Sequence, residues 1–365
     1  MAPLPQTQSL IVQNRRCASS SIRLPLMVAN DRPLPELHSD HDVLIRVLAV
    51  GLNPTDCKMV QHFYMEGTPV GCDFCGIVER AGPKAGVRIG TRVIAGHYPY
   101  RPNNLDNGAF AEYAVGIGWQ TITVPDHWSD TMAAGLGLIS WATVAMAMTK
   151  PGSLELSGRP SAPADKAIPV LVYGGGTATG FVAIQMLKQS GYTPIAVCSE
   201  RSAERAKAHG AIGTVPYTAP DCVEQIKKLA RGVAIKHALD CITNPASIET
   251  CFAALARLGA RYACLEHCPD SLIPRLSVKI SIILSYEQLG YDVDLGDSVY
   301  SRTYDAEQAQ RARQWGEEIV VMMNKGDIEP LPIRELQGFS GVLQGLEDLN
   351  AGKVQGNKLV ARISK

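Results

Sequence analysis

The sequence predicts an α/β protein of two domains. One is an irregular β-barrel or sandwich-like domain; the other alternates strands and helices about a parallel sheet. Three observations predict this. The chain has 365 residues, and at ~150 residues per domain it should form two cores. Its first 150 residues are short branched-rich runs separated by turn residues. From Ile168 onward, strand-length apolar runs alternate with helical periodicity. Hydrophobic residues at 46% and charged residues at 19% suit ordinary globular cores.

In the first part, Asp42 to Val50 is a branched-rich run ended by Gly51 and Pro54. Val70, Ile77 and Val78 mark a second run interrupted by glycines. Arg88 to Ala95 alternates turn residues with Val and Ile, and Gly108 to Val115 opens on Asn-Gly. Met132 to Met148, rich in Ala, Met and Leu, reads as one buried helix. Pro151 to Lys166 collects prolines, glycines and serines and reads as a linker. Ile168 to Tyr173 then predicts a strand that runs into Gly174-Gly-Gly176. Phe181, Ile184 and Leu187 space out a helix stopped by Gly191. A strand follows at Pro194–Cys198, helices at Arg201–His209 and Asp221–Ala230, and a strand at His237–Cys241. Ser247–Leu258 is a helix closed by Gly259, and Tyr262–Leu265 a further strand. Such βαβ units make a parallel sheet, which binds its ligand at the carboxyl ends of its strands. After Leu272 the pattern blurs into helices at Gln308–Asn324 and Phe339–Leu349 and a last strand at Lys358–Ile363. The domains are therefore expected at 1–150 with 305–365, and at 151–304.

Composition excludes some functions. Lysine and arginine total 35 and the acidic residues 35, so no basic excess exists to neutralise nucleic-acid phosphates. Met1 to Arg16, Pro- and Gln-rich, lacks the apolar core of a signal peptide. No stretch reads as approaching the ~20 apolar residues of a membrane span. The ten cysteines, from Cys17 to Cys268, are scattered and several lie in apolar runs. They read as the reduced, buried thiols of a cytoplasmic protein.

The sharpest local signal is Val170-Leu-Val-Tyr-Gly-Gly-Gly-Thr-Ala-Thr-Gly180. A strand enters a glycine turn and a helix leaves it. Glycines let the backbone approach a pyrophosphate, whose charge the free N–H groups of the helix start can hold. Gly174, Gly176 and Gly180 leave one residue more than the standard fingerprint before the last glycine. The residues after the second strand choose the nucleotide, since an acid there favours a ribose hydroxyl and a cation a 2′-phosphate. The run is Ser199-Glu200-Arg201-Ser202. Arg201 and Ser199 favour NADPH, with Glu200 on the solvated face.

Asn53-Pro-Thr-Asp56, Gly71-Cys-Asp73 with Gly76, Gly90-Thr-Arg-Val93, Gly108-Ala-Phe-Ala-Glu-Tyr113 and Gly356-Asn-Lys-Leu-Val360 follow in an order that resembles the medium-chain dehydrogenase/reductase superfamily. The resemblance implies a Rossmann-type parallel-sheet domain plus a GroES-like irregular β-barrel domain. A narrower set, Val172-Tyr-Gly-Gly-Gly-Thr-Ala-Thr179, Gln185-Met-Leu, Ser190-Gly-Tyr and Ala238-Leu-Asp-Cys-Ile-Thr-Asn244, is similar to the trans-acting enoyl reductases of fungal polyketide synthases, the lovastatin type. That likeness implies NADPH contacts at Thr55, Asp56, Cys57 and Lys58, at Gly176, Thr177, Ala178 and Thr179, and at Ser199, Glu200, Arg201 and Ser202. Tyr217, Cys264, Leu265, Val354 and Gln355 complete the set. It implies an acyl substrate along Ala142, Thr143, Val144, Ala145, Met146, Ala147, Met148 and Thr149, and along Ser285, Tyr286, Glu287, Gln288 and Leu289. Trp141 stands where the lovastatin type has threonine, which reshapes the pocket floor.

Zinc alcohol dehydrogenases of the superfamily need a first cysteine, a His-Glu pair and a later cysteine. Here those positions read Asn53 and Cys72-Asp73, with no cysteine between Cys75 and Cys198. Two soft candidates do not make a three-ligand open site, so no metal is expected. Hydride addition to the β-carbon of an α,β-unsaturated thioester then needs donors for the developing enolate and a proton for the α-carbon. Lys58 is the candidate donor. Tyr64 lies where mitochondrial enoyl thioester reductases place a catalytic tyrosine. The likeness implies a partner polyketide synthase with a carrier-bound substrate, no nucleic-acid or membrane partner, and a monomer. A quinone or free-enone reductase of the same fold and a non-catalytic NADPH-binding protein remain the alternatives.

Overall fold

The computed structural model describes residues 3–15, 24–101 and 105–363; Cys17 lies outside them. In chain order the described strands and helices are β1 (Thr7–Gln13), β2 (Leu26–Pro33), β3 (Asp42–Gly51), α1 (Pro54–His62), β4 (Asp73–Ala81), β5 (Arg92–Gly96), β6 (Tyr113–Ile117), β7 (Ile122–Thr123), α2 (Asp130–Leu136), α3 (Ile139–Thr149), β8 (Pro169–Tyr173), α4 (Ala178–Gln189), β9 (Thr193–Cys198), α5 (Glu200–Ala208), β10 (Gly213–Pro216), α6 (Cys222–Leu229), β11 (His237–Asp240), α7 (Pro245–Ala254), β12 (Arg261–Cys264), β13 (Lys279–Ile282), α8 (Ala306–Lys325), β14 (Ile333–Gln337), α9 (Gly338–Asn350) and β15 (Lys358–Arg362).

The chain divides into two compact units: 1–139 with 286–320 and 332–365, and 140–285 with 321–331. The crossings at 139/140 and 285/286 come earlier than the expected 150/151 and 304/305, and residues 321–331, expected in the first domain, belong to the second unit. The Pro- and Ser-rich stretch at 151–166 is no linker but part of the second unit. Its Ser153, Leu154 and Leu156 are buried, and Gly158 N donates to Tyr192 Oη at 2.7 Å. Turn residues mark irregular backbone, and here that backbone is packed.

The first unit carries a seven-stranded sheet in the order β14-β15-β3-β4-β5-β7, with β6 also on β3, and a separate β1–β2 hairpin. β3 is buried on nearly every residue because strands and helices cover both its faces; that is why its sequence shows a continuous run rather than alternation. Its pairing with β4 shifts register twice, the bulges that bend a barrel strand. Val43, Ile45, Phe74, Val93, Phe110, Val342 and Leu346 share one core, each large side chain contributing about 1.5–3 kcal/mol.

The predicted single helix Met132–Met148 is two helices. Gly137 separates them with φ 61 and ψ −178, a conformation open essentially to glycine alone. By length and composition Asp130–Thr149 does pass as a membrane span, which corrects the sequence expectation, but 89% of its apolar window is buried inside the protein. It is a pair of core helices.

The second unit is a six-stranded sheet in the order β10-β9-β8-β11-β12-β13, and every pairing is parallel. By order of appearance this is 3-2-1-4-5-6, the dinucleotide-binding arrangement, whose switch point lies between β8 and β11. Leu171, Ile195, Val215, Ala238, Phe252 and Tyr262 form its core. The helix predicted to Leu258 stops at Ala254, because Leu255 takes an extended conformation. Nine described cysteines are free thiols, eight of them buried.

Candidate active site

In the second unit, β8 delivers the glycine turn to the switch point. Gly174 N and Gly175 N both donate to Val197 O, at 2.9 and 3.0 Å, which stitches the turn to β9. Thr177 caps α4: its hydroxyl donates to Gly174 O at 2.8 Å and accepts from Gly180 N at 3.0 Å. A side chain on Gly180 would strike the Gly174 carbonyl, and one on Gly176 would meet Ser202 Oγ at 2.5 Å. The extra residue in the fingerprint is thus absorbed by the Thr177 cap. The first-turn amides of Ala178 and Thr179 remain to hold an anion.

The facing turn is built on Asp240, which is fully buried. Its Oδ1 accepts from Ile242 N and Thr243 N, both at 2.9 Å. Its Oδ2 accepts from Ser247 Oγ at 2.6 Å and Tyr262 Oη at 2.7 Å. These bonds hold Thr243 at φ 54, where Thr243 Oγ1 accepts from Leu265 N at 3.2 Å. Gly176 to Thr179, Ser199 to Ser202, Tyr217, Cys264 and Leu265 therefore all lie at the carboxyl ends of β8, β9, β10 and β12. Ser199 starts α5 without spending its hydroxyl on a cap, and Glu200 and Arg201 are exposed on the first turn. Tyr217 is 56% exposed.

In the first unit, three strand ends meet. Gly51 of β3 pairs with Asp73 of β4 and with Val360 of β15, so Asn53, Asp73 and Lys358 converge. Lys358 Nζ donates to Asn53 Oδ1 at 2.5 Å and lies 3.9 Å from Asp73 Oδ2. Asn53 Nδ2 donates to the same Asp73 oxygen at 2.8 Å. The other Asp73 oxygen accepts from Leu138 N and Ile139 N at 2.8 and 2.9 Å, bonds made possible by the Gly137 break. Asp56 accepts from Asn53 N at 2.7 Å. Burial pushes Asp73 up, opposed by Lys358, and pushes Lys358 down, opposed by Asp73. Burial also lifts Asp56 to about 7, against its bonds to Asn53 and Cys72. Lys358 and Asp73 thus each favour the other's charged form against burial, and Asp56 keeps its proton to near neutral pH.

A tyrosine wall adjoins α1. Tyr98 Oη donates to Met59 Sδ at 2.9 Å, and the Tyr98 and Tyr286 rings lie 4.3 Å apart. Tyr98 N donates to Tyr291 Oη at 3.1 Å. Next to it, Asn107 holds Val115 with both amide atoms, accepting from Val115 N and donating to Val115 O. Its Nδ2 therefore also donates to His97 Nδ1, at 3.0 Å. Burial pulls His97 down to about 3, so it is a neutral imidazole with the hydrogen on Nε2.

Residues 39–126 match the alcohol dehydrogenase GroES-like domain family and residues 178–264 the zinc-binding dehydrogenase family. The chain is 49% identical to trans-enoyl reductase sthE of Phaeosphaeria nodorum, over 98% of each chain. It is 45% identical to trans-enoyl reductase calK of Penicillium decumbens, again over 98% of each. This chain belongs to the trans-enoyl reductase family. That family is a branch of the medium-chain dehydrogenases/reductases, nicotinamide-binding oxidoreductases with a GroES-like and a Rossmann-type domain. In fold it is similar to a putative zinc-dependent alcohol dehydrogenase from Rhizobium etli, with TM-score 0.76 and 20% identity over 99% of this chain and 100% of the other.

The zinc in the matched family's description does not fit this family member. Both amide atoms of Asn53 are engaged by Lys358 and Asp73. Burial holds the Cys72 thiol far above its ordinary range, and an ammonium already occupies the donor set.

Other expected residues of this trans-enoyl reductase are placed as follows. Lys58 is exposed on α1 and Thr55 is half-buried, while Cys57 is buried against α9, its thiol donating to Leu346 O at 3.5 Å. Val354 is half-buried and Gln355 exposed before β15. Tyr64 is engaged elsewhere: it donates to the Glu66 carboxylate, accepts from Arg15 N at 2.8 Å, and lies under the Arg15 guanidinium. That commitment argues against the expected catalytic role. Ala142 to Met148 are buried in α3, Thr149 is half-buried, and Ser285 is buried. Tyr286 donates to Tyr300 O at 2.5 Å, Glu287 accepts from Arg302 Nε at 2.9 Å, and Gln288 O accepts from Gln120 at 2.7 Å; Leu289 is buried. Sequence reasoning missed Lys358, His97, Tyr98 and Asp240. Lys358 and Asp240 stand inside the runs Gly356–Val360 and Ala238–Asn244 singled out in the sequence, but without a role there.

Proposed function

We propose that this chain is an NADPH-dependent, trans-acting enoyl reductase for α,β-unsaturated acyl thioesters presented by the carrier of a partner polyketide synthase. The observation that carries the reading is the Asn53–Asp73–Lys358 cluster. Its Asn53 and Asp73 fall where the sequence pattern of the zinc members has the first cysteine and the acid of the His-Glu pair, in a chain half-identical to named trans-enoyl reductases. With that position filled by an ammonium, oxyanion stabilisation falls to hydrogen-bond donors, which suits conjugate reduction of a thioester.

When bound, NADPH would supply hydride to the β-carbon, and a proton from solvent at the α-carbon would complete the saturation. The chain's own residues do the rest. Ala178 and Thr179 amides hold the pyrophosphate, and Ser199 and Arg201 take the 2′-phosphate. Lys58, on the exposed face of α1, donates to the enolate oxygen. The Lys358 cluster fixes the start of α1 and so aims Lys58. Tyr98 and Tyr286 wall the acyl chain. A monomeric, cytoplasmic protein fits this role.

Reconstitution tests the reading. The partner synthase alone should release unreduced, shunted polyketides, and adding this protein with NADPH should restore the saturated position. Lys58→Ala should slow that step while NADPH binding is kept. Shunted products in the presence of active protein and NADPH would refute it.

A further inference from the structure

The parallel sheet has a second edge, opposite the glycine turn, at the amino ends of β12 and β13. Two loops are locked together there. Ser277 Oγ donates to Arg257 O at 3.0 Å. The Arg275 guanidinium donates to Phe252 O and Leu255 O at 2.5 and 3.2 Å, covering the last carbonyls of α7. They frame a groove of about 420 Å³ whose lining includes Lys227, Glu249, Phe252, Arg257 and Arg275. Leu258 and Leu276, next in sequence to the bonded Arg257 and Ser277, are 78% and 95% exposed. Single exposed leucines are ordinary; these two each adjoin one partner of the Arg257–Ser277 hydrogen bond, on the two loops it joins. The groove brings three cations to one carboxylate in a chain whose net charge is zero. Among the described residues no carboxylate pairs with Lys227, Arg257 or Arg275.

We propose that this face docks an acidic amphipathic helix on the body of the partner synthase, its apolar ridge on Leu258 and Leu276 and its carboxylates facing Lys227 and Arg257. The proposal rests on the reading that a synthase presents the substrate. The location supports the synthase body as occupant, because docking here leaves the carboxyl ends of the strands, where nucleotide contacts gather, unobstructed. Charge complementarity of this kind sets association rate and partner choice.

The test is biolayer interferometry of the full chain against the purified synthase used in the reconstitution. Arg257→Glu and Leu276→Glu should each weaken binding at least tenfold, the arginine change more at low than at high salt. Turnover of a small soluble enoyl thioester should stay within twofold of the parent. Leu276→Ser, a milder change, carries the test if the glutamate variant melts early. Unchanged affinity overturns the proposal, as does a parent chain that binds no synthase. Light scattering that finds a dimer dissolved by Leu276→Glu would assign the face to self-association instead. Failure to reduce any enoyl thioester would sink the functional reading while binding still decides the docking.

Discussion

Asp56 sits at the first turn of α1 with its carboxyl lifted to about 7 by burial. In the unfolded chain it titrates near 3.9. Between those values the folded state holds a proton that the unfolded state has lost, so stability falls as pH rises from about 4 to 7 and is then flat. Asp56→Asn removes this dependence. Its stability relative to the parent, read by chemical denaturation, should climb with pH across that window, by up to about 1.4 kcal/mol per pH unit; a constant offset from pH 4 to 8 would contradict the assignment. Lys358 makes a complementary prediction. Lys358→Met leaves Asp73 buried and unpaired and should cost about 3–5 kcal/mol in chemical denaturation. Adding Asp73→Asn should recover part of that loss. At the second unit, Ser199 and Arg201 should make NADPH bind more tightly than NADH by about 1.5–3 kcal/mol, on the order of tenfold or more. Calorimetry with both nucleotides checks this, and Arg201→Ala should close most of the gap.

Elements were legible where one physical signal dominated. β8, α4, β9 and α5 matched the expected strand, turn and helix because periodicity and glycines agreed along Ile168 to His209. β10, β13 and β14 interrupt their apolar residues with Thr214, Ser281, or Arg334 and Glu335, and so show no apolar run. They form because a neighbouring strand offers a ladder. The break at Gly137 was hidden for another reason. Composition around Met132 to Met148 is helical throughout, and the break is dictated by a carboxylate distant in sequence, Asp73, taking two backbone amides. Gly137→Ala should therefore destabilise by about 2–4 kcal/mol. It combines the strained backbone with a methyl placed on the Asp73 carboxylate, and calorimetry should show the lower melting temperature. A variant as stable as the parent would mean that the break is not needed.

At the scale of the molecule, the two-domain reading was legible because a barrel of short strands and a βαβ sheet write different rhythms into one chain. The crossings were not, since chain irregularity at 151–166 reflects turns packed inside a domain. The nucleotide half of the site was readable in glycines and caps, which act locally. The Asn53–Asp73–Lys358 cluster was half readable. The sequence offers too few ligands for a three-ligand zinc site, but only the pairing of β15 with β3 reveals that Lys358 meets Asn53. The central claim is that this arrangement serves conjugate reduction of a thioester. The most direct measurement is NADPH consumption by the purified protein with a panel of enoyl thioesters beside quinones. The account predicts steady turnover of enoyl thioesters, slowed by Lys58→Ala, with little on quinones; efficient quinone reduction with no enoyl thioester touched would contradict it.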